Sequence, residues 1–130
     1  MYYVAANTTT SGPIFIKEAD GTTVNAVTID TVTVTGISTA GAVATDLVKL
    51  TSATGDITVS EVITAAGGAA DVALIATTGG IVQGTQGKQI TGNNVALTAK
   101  TGIGASGAPV NTTSTNLAAM VGVSLDGFTI

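Results

Sequence analysis

The sequence predicts an all-β fold, a right-handed parallel β-helix of about five to six coils with three short strands in each coil. Three observations predict it. Short alternating apolar segments recur at a nearly constant period, turn residues recur in step with them, and the apolar content is almost entirely aliphatic, with aromatics at only 3%. Because each coil of a solenoid stacks on an equivalent coil, a fixed period of about 22 residues is the expected signature of the fold.

The first strand of each coil begins with an apolar residue in a short alternating segment. Val48, Val72, Val95 and Leu117 follow one another at intervals of about 23 residues. The segment Val27-Thr28-Ile29 precedes Val48 by a similar interval and is predicted to occupy the same place in the preceding coil. Alternation with period two is typical of a half-buried strand. We therefore expect Val48, Val72, Val95 and Leu117 to stack in register inside the solenoid.

Polar turn residues mark the corner that precedes this strand. Asp71, Asn94 and Asn116 stand immediately before Val72, Val95 and Leu117. Asp and Asn are turn residues because their side chains bond nearby backbone and tolerate left-handed backbone conformations. Stacked coil on coil, the three predict a side-chain ladder along one corner.

Glycines mark a second corner after the first strand. They are Gly55, Gly79 and Gly102. Glycine adopts positive φ without a Cβ penalty, so we expect a tight turn of that kind at each of the three positions.

The other two strands of each coil are shorter. Ile57-Thr58-Val59 and Ile81-Val82-Gln83 are predicted to form the second strand, because both alternate after a corner glycine. The predicted third strands are Val62-Ile63, Gln89-Ile90 and Pro109-Val110. The rival fold is a bacterial immunoglobulin-like sandwich, which is also all-β but predicts antiparallel hairpins and no such coil period.

A longer repeat lies above the coil period. Val4-Ala5-Ala6 is similar to Leu117-Ala118-Ala119, and Asp20 to Val24 is similar to Asp126 to Ile130. Residues 1–130 are thus predicted to be a single solenoid segment, one tandem unit of roughly 110 residues followed by the start of the next.

The composition argues against catalysis and cofactor binding. The chain has no His and no Cys, the residues that most often serve as bases, nucleophiles and transition-metal ligands. Asp20, Asp56 and Asp126 each adjoin a glycine, which is ordinary turn placement. Gly67 to Asp71 departs from the glycine-rich nonapeptide of calcium-binding solenoids. We expect no enzyme activity, no cofactor and no dedicated metal site.

The charges and apolar runs also limit the possible partners. The formal net charge is −4, and the four cationic side chains are scattered at Lys17, Lys49, Lys88 and Lys100. Nucleic-acid binding relies on clustered cations, so no nucleic-acid partner is expected. The apolar runs are far shorter than the ~18 residues of a membrane span, so no membrane insertion is expected either.

The segment Thr31 to Thr35 alternates Thr and Val and raises the possibility of a flat threonine array. Such an array needs the same motif at one position on successive coils. The positions taken as equivalent hold Lys49, Thr58, Ala73 and Ala96, so the array is expected to be broken. The segment is therefore predicted to be an exposed strand with outward threonines.

Several segments resemble a known family. They are Gly92 to Gly104, Gly107 to Val110, Asn116 to Ala119, Thr54 to Val59 and Gly12 to Ile16. Together they resemble the β-helical repeats of filamentous haemagglutinin-like exoproteins. The resemblance implies an exported, fibrous protein at the cell surface, whose stalk repeats carry no catalytic residues.

The function expected from this resemblance is structural. The chain is expected to be a stalk or fibre segment of a large secreted or cell-surface bacterial protein, with neighbouring copies or repeats of itself as head-to-tail partners. The alternative is an adhesin module that binds a host or carbohydrate ligand on a side face of the solenoid. Stacking aromatics, which sugar binding favours, are scarce in this sequence.

Overall fold

Fourteen β-strands and their connecting turns make up the residues that the computed structural model describes, 2–65 and 67–122. Within these residues there is no helix, and hence none long and apolar enough to cross a membrane. Ten of the eleven strand pairings are parallel. This pattern confirms the parallel β-solenoid, here with about five coils, and excludes the antiparallel sandwich.

The strands stack in three columns, one for each strand of a coil. Column 1 consists of β3 (Ile14–Glu18), β8 (Val48–Ser52), β11 (Val72–Ala76) and the C-terminal parts of β13 (Gln89–Ala99) and β14 (Asn111–Val121). Column 2 consists of β1 (Tyr2–Val4), β4 (Thr22–Val24), β9 (Ile57–Val59) and β12 (Ile81–Gln83), followed by a single bridge at Ile103. Column 3 consists of β2 (Ala6–Thr8), β7 (Ile37–Thr39), β10 (Ile63–Ala65) and the N-terminal parts of β13 and β14.

The core is a narrow aliphatic interior filled by the inward residues of all three columns. Leu50, Leu74, Ile57, Ile63 and Ile90 are among its completely buried members. Val, Ile and Leu at alternate positions fit a pleated surface, which explains how the chain folds without aromatic anchors. The aromatic side chains of the described residues all lie outside this core.

One expected first strand is absent from column 1. Val27, Thr28 and Ile29 belong instead to β5 (Ala26–Ile29), which pairs antiparallel with β6 (Val32–Thr35). The strand beside β8 on the N-terminal side is β3, in which Ile14 pairs with Val48. The prediction for Val27 is therefore wrong, because the hairpin has the same apolar alternation as a coil strand. Asp30, with φ of 55°, supplies the positive φ that a two-residue hairpin loop requires.

The second strands agree with the sequence analysis, and the third strands agree except in the last full coil. There Asn111 to Thr113, rather than Pro109-Val110, pairs with Gln89 to Thr91. Proline has no N–H to donate to a ladder, which disfavours Pro109 within a strand. The chain before Pro109 instead closes a small loop in which Ala105 and Ala108 bridge each other.

The long repeat stays a prediction, since one of its matching segments lies outside the described residues. Val4 lies in column 2 beside Val24, whereas Leu117 lies in column 1 beside Val95. These two similar segments thus occupy different places in the coil. The other matching segment, Asp126 to Ile130, lies outside the described residues.

Candidate functional site

The aliphatic stack of column 1 joins successive coils. Val48, Val72 and Val95 are direct neighbours in the parallel ladder, and each is at most 1% exposed. Leu117 continues the same row beside Val95 but is 53% exposed. The difference arises because β14 is the last strand of this column among the described residues, so nothing there covers Leu117 from the far side.

The predicted polar residues meet in a ladder at the corner before column 1. The side-chain amide and the backbone N–H of Asn94 both donate to Oδ1 of Asp71, each at 3.0 Å. The side-chain amide of Asn116 donates to Oδ1 of Asn94 at 2.8 Å. These bonds join coils rather than closing local turns, and the only non-glycine residue with positive φ in the described ranges is Asp30. The row begins at Asp71, since the preceding coil has Leu47 at this place.

The three corner glycines do not share one role. Gly55 has φ of 86°, as expected, but Gly79 and Gly102 have no positive φ, so that part of the prediction is wrong. At Gly79 a Cβ would collide with the carbonyl oxygen of Gly55 in the neighbouring coil. Gly102 has open space around it. It is the structural equivalent of Gly80, because its carbonyl accepts a hydrogen bond from the N–H of Ile81, just as the carbonyl of Gly80 accepts one from Ile57. Close approach of coils, rather than turn conformation, explains Gly79.

The buried polar side chains that organise the corners include Asp46 and Gln83, and sequence reasoning identifies neither. Asp46 is 5% exposed and accepts hydrogen bonds from the N–H of Gly12 at 2.7 Å and of Val43 at 3.2 Å. It thereby ties together the loops that lead into β3 and β8. No sequence pattern distinguishes Asp46 from the other loop carboxylates.

Gln83 is the second such residue and is 4% exposed. Its side-chain amide donates to the carbonyl oxygens of Thr85 and Lys88, both at 2.7 Å. Its Oε1 accepts from the N–H of Asn111 in the next coil at 3.3 Å. Gln83 occupies an inward position in the alternating segment Ile81-Val82-Gln83. That position is the sequence signal that could have identified it.

A row of hydroxyl and amide side chains runs along the outside of column 3. Its members are Asn7, Ser38, Thr64, Thr91 and Thr113, one in each successive coil. The positions considered for a threonine array lie elsewhere. The structure divides them between column 1, which holds Lys49, Ala73 and Ala96, and column 2, which holds Thr58. Sequence reasoning missed the row because single outward threonines in short strands give no motif within one coil.

Side chains of the metal-ligating types do not gather into a cluster in the part of the chain that the structure describes. In the described ranges, no three carboxylate, His or Cys side chains come close enough to hold a metal ion. The ion pair found there joins Lys88 and Glu61 at 2.9 Å on the surface. Polar side chains such as Asn94 and Gln83 instead form hydrogen bonds from one coil to the next.

Exposed large apolar side chains concentrate at the two ends of the stack. At the N-terminal end, Tyr2 is 56% exposed, Tyr3 58% and Phe15 62%, and at the C-terminal end Leu117 and Val121 are about half exposed. Between the ends, the exposed large apolar side chains of the described residues are Val43, Val62 and Val82. Clusters of exposed apolar side chains are typical of interaction surfaces rather than of strands that face solvent.

The column order at one end continues that at the other. Each column has five successive members, and the described residues begin with β1 in column 2, followed by β2 in column 3 and β3 in column 1. They end in the same order, with Ile103 in column 2, the N-terminal part of β14 in column 3 and its C-terminal part in column 1, so a further coil would begin in column 2 as β1 does. A concavity of about 460 Å³ opens at this end, lined in part by Ile103, Val110 and Leu117.

Comparisons with known proteins add no relative. The sequence matches no protein-family model, no curated protein and no solved structure. The apolar ends of the stack and the ladders that lead to them are the features that bear on its function.

Proposed function

We propose that this chain is a structural rod segment of an exported cell-surface protein and that copies of it stack head to tail into an elongated filament. The observation that carries the proposal is the pair of complementary ends. Each end presents parallel strand edges and exposed apolar side chains, and the column order at the C-terminal end is continued by that at the N-terminal end. The export and surface location rest on the resemblance to filamentous haemagglutinin-like repeats.

Strand edges supply the directional part of the joint. An edge strand presents unpaired N–H and C=O groups that form a ladder with any suitable strand. Among the described residues, β14 pairs only with β13 and β3 only with β8. In a head-to-tail contact the C-terminal part of β14 would lie beside β3 of the next copy and continue column 1 with parallel pairing.

Apolar burial supplies the rest of the free energy. In the proposed joint Leu117 would stack on Ile14 of the next copy, as Val48 stacks on Ile14 within one chain. Burying aliphatic side chains stabilises association by about 25 cal/mol for each Å² removed from water. Each coil adds about 4.8 Å to the rod, so that five coils extend it by about 24 Å.

A charge at the C-terminal end tests the proposal. Leu117→Lys places an ammonium group where the joint would bury it, and an unpaired buried charge is strongly unfavourable. Val82→Lys is the matched control, since Val82 is 39% exposed on the side of the solenoid. Its strand, β12, already lies between β9 and the bridge at Ile103, so it forms neither end of the stack. Sedimentation velocity over a concentration series, with negative-stain electron microscopy, measures assembly.

The expected result is elongated assembly of the wild type and of Val82→Lys, with Leu117→Lys remaining monomeric. Circular dichroism should show the same β content in all three proteins. A wild type that stays monomeric at every concentration would overturn the proposal, as would assembly of Leu117→Lys at the wild-type concentration.

The row along column 3 supports a second candidate function, binding of a polysaccharide on the side of the rod. Asn7, Ser38, Thr64, Thr91 and Thr113 present donors and acceptors at the coil spacing of about 4.8 Å, a regular array that an extended polar polymer could follow. A glycan array tests this role. Binding that Thr91→Val weakens would support it, and an array without binding would refute it.

A further inference from the structure

The β5–β6 hairpin has one apolar face and one polar face. Its two apolar cross-strand pairs are Val27 with Val34 and Ile29 with Val32. The polar face includes Thr28 and Thr33, whose hydroxyls are hydrogen-bonded at 2.8 Å. A two-stranded ribbon is marginally stable alone, so an apolar face on such a ribbon indicates packing against something else.

The apolar face is covered at the base of the hairpin and uncovered at its tip. The hairpin leaves the coil between β4 and β7, at the corner where the N–H of Gly36 donates to the carbonyl of Asn25. From there β5 lies beside β1 and β6 beside β2, the strands that end columns 2 and 3. Val27 and Val34 are half-buried in this position, whereas Ile29 is 74% and Val32 64% exposed.

The exposure of Ile29 and Val32 fits a tip that extends beyond the first coil at the N-terminal end. Two residues along a strand span about 6.6 Å, which exceeds the coil spacing of about 4.8 Å. If Val27 and Val34 pack at the level of β1 and β2, the pair Ile29 and Val32 lies at the level of the coil that would come next. The hairpin occupies the corner between columns 2 and 3, so it would meet the same corner of that next coil.

In a second copy stacked as proposed above, this corner is the loop of residues 104–110. The loop connects Ile103 of column 2 to the N-terminal part of β14 in column 3. Ala105, Pro109 and Val110 line the concavity at the C-terminal end, which gives the loop an apolar surface. Column alignment and apolar character thus both point to this loop as the contact.

We infer that the β5–β6 hairpin is a clasp whose tip, Ile29 and Val32, docks on the 104–110 loop of a second copy of this chain. The inference rests on the proposed head-to-tail stacking and names the element that locks it. Backbone ladders between strands are similar in every register, but a clasp at one corner accepts one rotational position only. The clasp thus fixes the rotation of each copy relative to the next and prevents slippage by one column.

Polar substitution of the tip tests the clasp. Ile29→Thr with Val32→Thr keeps β-branched side chains in the strands and removes the apolar contact. The control is Thr28→Ala with Thr33→Ala, which alters the opposite face at the same level and breaks the threonine hydrogen bond. Sedimentation velocity gives the dissociation constant for each protein, and thermal unfolding under monomeric conditions checks the fold.

The dissociation constant for self-association of the tip variant should be at least tenfold higher than that of the wild type, because two exposed aliphatic side chains lose their contact. The control should assemble like the wild type. If the wild type assembles and the tip variant matches it, the clasp is refuted while head-to-tail stacking stands. If the wild type does not assemble at all, the stacking proposal fails, and the clasp fails with it.

A photocross-linker in place of Val32 provides a direct readout of the contact. In the assembled protein the cross-link should join the hairpin of one copy to residues 104–110 of another, identified by mass spectrometry after proteolysis. Cross-links to any other part of the partner copy would overturn the assignment of the loop.

Discussion

Leu74 lies directly between Leu50 and Leu97 in the parallel ladder of column 1, and Leu50 and Leu74 are both completely buried. Leu74→Ala should therefore destabilise the fold by about 2 to 5 kcal/mol, since the stacked coils cannot close around the cavity. Ile75→Ala, at the adjacent and half-buried outward position, should cost clearly less. Urea unfolding of the two variants gives the comparison, and equal losses would contradict the inward stacking of Leu74.

The polar corner ladder should contribute modestly to stability. Asn94→Ala removes the side-chain bonds to Asp71 and Asn116 but leaves the backbone N–H bond to Asp71 in place. Two exposed hydrogen bonds of this kind are worth about 1 kcal/mol together, at the low end of the usual range. Chemical denaturation should show that loss, and an unchanged midpoint would mean that the ladder is not formed in solution.

A carboxylate in the same ladder should make stability depend on pH. In Asn94→Asp the new group would face the carboxylate of Asp71, and two negative charges this close would repel each other in the folded state. The destabilisation should be fully present at neutral pH and should disappear as pH falls below about 4, where the carboxylates are protonated. Unfolding midpoints relative to wild type at neutral pH and in acid measure this, and a larger deficit in acid would contradict it.

The glycine corner provides a paired test of coil spacing. Gly79→Ala introduces a Cβ against the carbonyl oxygen of Gly55 and should cost about 1 to 3 kcal/mol. Gly102→Ala meets open space and needs no positive φ, so its effect should stay within about 1 kcal/mol and can be stabilising. Thermal unfolding of both variants gives the result. A severe loss of stability in Gly102→Ala with none in Gly79→Ala would show that the coils approach each other at a place other than Gly79.

The sequence is informative where one coil resembles the next. The intervals from Val48 to Val72, Val95 and Leu117 repeat because a stacked interior demands an apolar residue at one place in every coil. The corner residues Asp71 and Asn94 repeat for the same reason. These features could therefore be predicted, together with the fold class and the second strands.

The hairpin could not be predicted in this way. Val27-Thr28-Ile29 alternates like a coil strand and stands at nearly the right spacing, so local pattern cannot tell the two apart. The path of the whole coil, including the loops that Asp46 joins, determines which strand pairs with Val48 on its N-terminal side. That strand contains Ile14. The exposed apolar tip of the hairpin at Ile29 could not be predicted from the sequence for the same reason.

The ends were only partly predictable as well. The period of Leu117 predicts a place inside the stack, yet its burial depends on a strand beyond it rather than on its own sequence neighbours. The outward row with Thr64 and Thr91 was missed because its members are related only through the columns. A surface formed by several coils can be predicted only when the register of their strands is known. The residue pattern within one coil does not contain that register.

The register of column 1 is the physical basis of the whole account, and nuclear Overhauser effects between methyl groups measure it directly. The Leu117→Lys variant, expected to remain monomeric, suits this experiment. The account predicts strong cross-peaks from Leu74 to both Leu50 and Leu97, and from Val72 to both Val48 and Val95. Cross-peaks that instead connect Leu74 to a residue of an antiparallel neighbour, or that are shifted by one position along the ladder, would contradict it.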